Sequence, residues 1–185
     1  HLNCLTRSLL KSEPVRDSSQ NLSGILLLRV SSMQGSIVGL FAALEGGVPK
    51  PSVQTLHIVE SGCIGDQQND TKHHGGPNRA VCLFSEEVLH TLQHEGHSIF
   101  PGSVGENILI NGIQWANISS GSQLQFDQVV LEITSDAPPC RTIKESFLNG
   151  TFKRISAKIE PESTRWYAKV IQAGVVAVGE SVVLN

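Results

Sequence analysis

The stretch QLQFDQVVLEITSDAPPCRTI, residues 123–143, decides how the rest of the chain is read. Leu124, Phe126, Val130 and Ile133 recur among polar and β-branched neighbours, which predicts a pair of strands over 123–135. Pro138 and Pro139 then remove two backbone donors and stiffen the chain, so sheet pairing stops there. The residue left standing at that strand end is Cys140, followed by Arg141. A thiol in this setting is presented at the edge of a sheet instead of being packed inside a ladder, and a neighbouring arginine favours the thiolate that attacks or binds soft metals. Taken alone, a functional cysteine and a structural one fit these residues equally well.

Working outward, the β pattern repeats. SIVGLFAAL (36–44) is apolar enough for a buried strand and is closed by the Gly/Pro loop EGGVPKP. VQTLHIV (53–59), AVCLFS (80–85), GENILING (105–112) and the two apolar runs of VVAVGESVVL add further short strands. A helix is predicted from Ser85, a good N-cap, with Glu86 and Glu87 in its first turn, Phe84 stapling Leu89, and Gly96 as its stop. A second helix is predicted over PESTRWYAKVIQAG (161–174), from Pro161 to Gly174. Many short strands with turn signals and few helices give a mainly β, barrel-like fold with a few short α-helices.

At 185 residues, 39% hydrophobic and 17% charged, the chain fits one domain with a real core. A net charge of −3 argues against a general binder of nucleic-acid duplex. The four cysteines show no Cys-x-x-Cys spacing, which excludes the usual zinc ribbons and clustered iron–sulfur sites. Cys63 and Cys82 lie among small or apolar residues and read as buried small hydrophobes. The thiols are read as free, the compartment as reducing and cytoplasmic, and no apolar run approaches a membrane span. Residues 1–32 are polar and aperiodic, with the only methionine at Met33. They read as an extension of doubtful origin, expected either to be disordered or to carry a helix-like stretch around 22–30, leaving 33–185 as the domain.

A second segment concentrates nitrogen chemistry. In TKHHGGPNRAV (71–81), Lys72, His73, His74 and Arg79 crowd a Gly75-Gly76-Pro77 turn that needs none of them. Glycines there allow positive φ or close approach, and with the cations they suit an anion gripped by backbone N–H groups. A solvated loop accounts for the same residues about equally well. His90 and His94 share a helix face, but the intervening Thr91, Leu92 and Gln93 supply no glutamate for a zinc hydrolase.

Taken in order, DTKHHGGPNRAV, PGSVGENILING, the strand pair ending in PPCRTI, and RWYAKVIQAGVVAVGESVVL resemble the MOSC family, named for the C-terminal domain of molybdenum-cofactor sulfurases. The likeness runs from about 36 to 184 and is closest to the small stand-alone members. It implies a MOSC-type β-barrel that handles the molybdenum cofactor. Enzymatic members reduce N-hydroxylated compounds, including hydroxylamino bases, at a molybdenum held by the cofactor dithiolene and one protein cysteine, here Cys140 as ligand and catalytic residue. Lys72, His73, His74, Gly75, Gly76 and Arg79 are the expected grip on the cofactor phosphate, with Asn107, Arg141 and Arg165 as further cofactor contacts. Electrons are expected from a separate reductase, since no flavin, nicotinamide or iron–sulfur fingerprint is present. The alternative is a non-catalytic carrier of the cofactor or of persulfide sulfur. One departure stands out: many relatives place an arginine two or three residues before this cysteine, whereas here the chain reads Asp136-Ala137-Pro138-Pro139. Arg141 is the candidate to compensate, and Asp136 is either a turn residue or a proton relay.

Overall fold

A computed structural model describes residues 33–67 and 76–185. The chain forms β1 (Gln34–Phe41), β2 (Ser52–Val53), β3 (Thr55–Val59), β4 (Gly62–Cys63), β5 (Val81–Ser85), helix α1 (Glu86–His94) and β6 (Ile108–Asn111). It continues through β7 (Gln123–Gln125), β8 (Val130–Ala137), β9 (Arg165–Gln172), β10 (Gly174–Ala177) and β11 (Ser181–Leu184). Seven strands close on themselves in the order β11-β7-β8-β9-β5-β6-β1, and β1 pairs back with β11. β2 extends β1, and β10-β3-β4 make a separate three-stranded sheet. Closure removes the exposed sheet edge that an open array of this length would carry.

The barrel interior is filled from alternate positions. Leu83, Ile108, Ile110, Leu124, Leu131, Ile133, Ala168 and Val182 all join one buried cluster. A second cluster lies outside the barrel, where Leu89 and Leu92 of α1 pack with Phe84, Phe41, Leu109 and Phe147. The expected cap is present, since Ser85 Oγ accepts from the Val88 N–H, and α1 follows β5, which pairs in parallel with β6. Phe84 and Leu89, the expected staple, are both buried in this second cluster.

The second expected helix is not there. Residues 161–163 form a single 3-10 turn, and Arg165–Gln172 is a strand paired on both sides, to β8 and to β5. The proline and glycine bounds suit either element, and pairing with two neighbours overrode a weak helical periodicity. Gly174, expected to stop a helix, opens β10 instead. Residues 141–155 wind through successive 3-10 turns. The expectations for 1–32, including Cys4, and for Lys72, His73, His74 and Gly75 lie outside the described residues.

Candidate functional site

The outer face of β5, β8 and β9 carries the chemistry. In register, Cys82 lies beside Tyr167 and Tyr167 beside Ser135, while Arg165 lies beside Ala137. Cys82, Ala137 and Tyr167 form a small buried cluster of their own. Three residues past Ala137 the chain presents Cys140, partly exposed and in extended backbone, with its Sγ 2.7 Å from Thr142 Oγ1. Either atom can donate, but towards a thiolate only the hydroxyl can.

The end of the glycine-rich segment reaches the same face. Gly76 takes φ 79°, the left-handed conformation its sequence invites, and the next three residues form a 3-10 turn. That turn is tied to the sheet: Thr134 Oγ1 donates to the Asn78 carbonyl at 2.6 Å, and the Arg79 guanidinium sits over the Tyr167 ring, 5.8 Å from its centroid. Tyr167 feels Arg79 and Cys140 at once, together with Cys82 and Arg165. Its hydroxyl is pushed well above the ordinary range, first by burial. The glycine-rich segment thus packs on Tyr167 of β9, and the neighbouring β8 runs on through Ala137 towards Cys140.

The other stem of residues 68–75 is anchored through Asp66. Its carboxylate, almost wholly buried, accepts from the Ala43 N–H at 2.9 Å, Lys50 Nζ at 2.6 Å and Asn107 Nδ2 at 2.8 Å. Asn107 also donates to the Phe41 carbonyl at 3.2 Å and accepts from the Cys82 N–H at 3.0 Å. Its amide hydrogens are both engaged inside the protein, so it ties β1, β5 and the stem together. No spacing in the sequence signals Lys50, Asp66, Tyr167 or Thr142. Lys50 belongs to a segment that reads as loop, and Tyr167 to one that reads as helix.

Two ionisable side chains, Glu106 and Arg165, are buried in this part of the fold. Glu106 is fully buried, and its Oε1 accepts from the Gly102 N–H at 2.6 Å. Burial raises its carboxyl above the ordinary range against the smaller opposing pull of backbone N–H groups and Arg165. Arg165, also buried, donates to the carbonyls of Val104, Ala137 and Pro138. Where the sequence predicts a helix start, Arg165 instead opens β9 and binds backbone. Arg141 is exposed beside Cys140, and Asp136 is partly exposed at the end of β8 opposite Trp166. Cys63 and Cys82 are buried, as expected, and burial drives the Cys63 thiol to about 12.

A family model for the MOSC domain matches residues 70–183, well over half of the chain. The chain belongs to the MOSC domain family. Among curated proteins it is 25% identical to YflK of Bacillus subtilis, an uncharacterized protein, over 144 residues covering 76% of this chain and 64% of that one. It is 26% identical to protein YiiM of Escherichia coli over 96 residues, 50% of this chain and 43% of that protein. The chain thus spans less than two thirds of either relative. Among solved structures, the YUAD protein of B. subtilis superposes with TM-score 0.63 at 17% identity, covering 82% of this chain and 96% of the other. YiiM of E. coli superposes with TM-score 0.59 at 19% identity, covering 81% and 69%. The barrel is that of a MOSC domain, and no helix of the described residues is long and apolar enough to cross a membrane.

Proposed function

We propose that this MOSC domain binds the molybdenum cofactor and reduces N-hydroxylated small molecules, hydroxylamino bases among them, with Cys140 as the metal ligand. One observation supports the reading: the Arg79 turn packs on Tyr167 of β9, and β8, paired beside β9, runs on through Ala137 to the partly exposed Cys140 thiol. The donor set suits the group. A soft thiolate is the protein ligand that molybdenum in a sulfur environment takes, and the described alternatives, Cys63 and Cys82, are buried. A terminal phosphate needs cations and backbone N–H groups, which Arg79 and Gly76 supply, with Lys72, His73, His74 and Gly75 preceding them in the chain.

When bound, the cofactor supplies a two-electron reductant for the N–O bond. The reaction takes R–NH–OH, two electrons and two protons to R–NH2 and water. The chain's part is to hold the thiol at a fixed strand end, to grip the phosphate and to shield one side of the site with Tyr167. Electrons come from a separate reductase, and the work is cytoplasmic, on a small molecule and not on a nucleic-acid duplex or a membrane.

The test is molybdenum content after expression in cofactor-competent cells, for the wild type and Cys140→Ala, alongside reduction of an N-hydroxylated substrate with an artificial electron donor. Molybdenum near one per chain, lost in Cys140→Ala together with reduction, is the expected result. A wild type without molybdenum, or a variant that keeps it, overturns the assignment. Molybdenum bound with no reduction of any N-hydroxylated substrate identifies a cofactor carrier.

A further inference from the structure

We infer that Arg165 is the positioning residue for Cys140: its guanidinium clamps the Ala137 and Pro138 carbonyls against the Val104 carbonyl and so fixes where the thiol emerges. The inference rests on the reading of Cys140 as the working thiol. Nη2 donates to Ala137 O at 3.3 Å and to Pro138 O at 3.2 Å, while Nη1 donates to Val104 O. The first two acceptors belong to the segment that carries Cys140; the third belongs to the 102–106 turn, which Glu106 braces through the Gly102 N–H. Gly105 in that turn takes φ 85°, which disfavours any side chain, and a Cβ there would crowd Val48 at 3.2 Å.

Three carbonyls in different directions call for a planar fork of donors. Lysine, a point charge with one reach, cannot hold all of them. Pro138 and Pro139 present no N–H of their own, so the Pro-Pro-Cys segment has few backbone bonds with which to hold itself. Its carbonyls are the handles available, and Arg165 takes them. The consequence is local: the sulfur is delivered to the Thr142 hydroxyl at 2.7 Å.

The experiment uses the metal-free full chain and follows iodoacetamide alkylation of the Cys140 peptide by mass spectrometry at one mildly alkaline pH. Thr142→Val removes the hydroxyl that contacts the sulfur, and is expected to slow alkylation about fivefold. Arg165→Lys is expected to slow it comparably, and Thr142→Val added to Arg165→Lys to change it by less than about twofold, because the contact is already lost. If Arg165→Lys lowers the melting temperature yet keeps the wild-type alkylation rate, Arg165 is only a stabiliser and the inference is overturned, whether or not Thr142→Val has an effect by itself. Should Arg165→Lys fail to fold, Pro139→Gly, which loosens the same segment with the arginine intact, decides. A wild-type alkylation rate in Pro139→Gly overturns the inference, and a slowed one supports it. Because no molybdenum is involved, the outcome is independent of whether the cofactor reading survives.

Discussion

Replacing Asn107 with alanine separates two roles for this residue, cofactor contact and internal tie. The side chain is 1% exposed and makes three hydrogen bonds: to the Cys82 N–H, the Phe41 carbonyl and the Asp66 carboxylate. Truncation leaves the first two partners as buried backbone groups without their side-chain partner, at about 1–3 kcal/mol each. Asp66 keeps Lys50 and the Ala43 N–H, so its loss is smaller, on the order of 1 kcal/mol. Water entering the vacated space recovers part of the total. The expected destabilisation is about 3–5 kcal/mol, a large share of the roughly 5–15 kcal/mol that holds a domain together. Urea unfolding followed by tryptophan fluorescence should show the midpoint falling by about 1.5–3 M with little change in slope. Asn107→Asp is expected to do no better, because it sets a second carboxylate against Asp66. A midpoint within about 0.5 M of the wild type for Asn107→Ala would refute the tie and return the residue to the cofactor.

Two further outcomes follow from burial. In the folded protein, with Cys4 replaced by serine, Cys63 and Cys82 should stay silent to a thiol reagent that labels Cys140, and react only after denaturation; rapid labelling of either in the native state contradicts their placement in the core. Glu106, whose carboxyl is raised by burial, holds its proton more tightly folded than unfolded, so its stabilising effect is complete below the ordinary value near 4.5 and is lost as pH rises through the raised one. Glu106→Gln, which cannot ionise, should therefore gain on the wild type by up to about 1.4 kcal/mol per pH unit across that window. Urea unfolding in acid and above neutrality measures it, and a difference between the two proteins that does not change with pH is the contrary result.

The elements legible in the sequence are those with one apolar and one polar face. The pair β7–β8 shows its period, and α1 shows a capping serine, acidic first turn and apolar stripe, because each has water on one side. β9 has no such asymmetry. Tyr167 is buried on the outer face, Ala168 on the inner one, and strands pair with it on both edges. With both faces largely covered along its first half, even Arg165 is buried and the exposed–buried alternation that marks a strand is erased. Misreading β9 also displaces Arg165, since a helix start points outward and a central strand does not. The site's exposed parts, Cys140 and Arg79, are visible as residue types in unusual settings; its buried parts, Lys50, Asp66 and Tyr167, depend on long-range pairing that no local spacing encodes.

That division bears on how the missing arginine is understood. A cation in the segment before the cysteine would act through space on the thiol, whereas here Ala137 and Pro138 stand two to three residues before it, with Asp136 next door. Among the described residues, besides Arg141 next to the cysteine, positive charge reaches the region from Arg79 and Arg165. Arg79 comes from the glycine turn across the face of Tyr167, and Arg165 comes from beneath, through backbone carbonyls. Arg165 is buried, so its charge is screened less by solvent than that of exposed Arg141. Yet it is turned towards carbonyl oxygens, which absorb much of its field. Among the described residues, Arg79 sits over the Tyr167 ring and is the exposed cation that the glycine turn brings to this face. On the proposed reading, the glycine turn would then carry the electrostatic demand of an anionic ligand, and the strand end would contribute geometry.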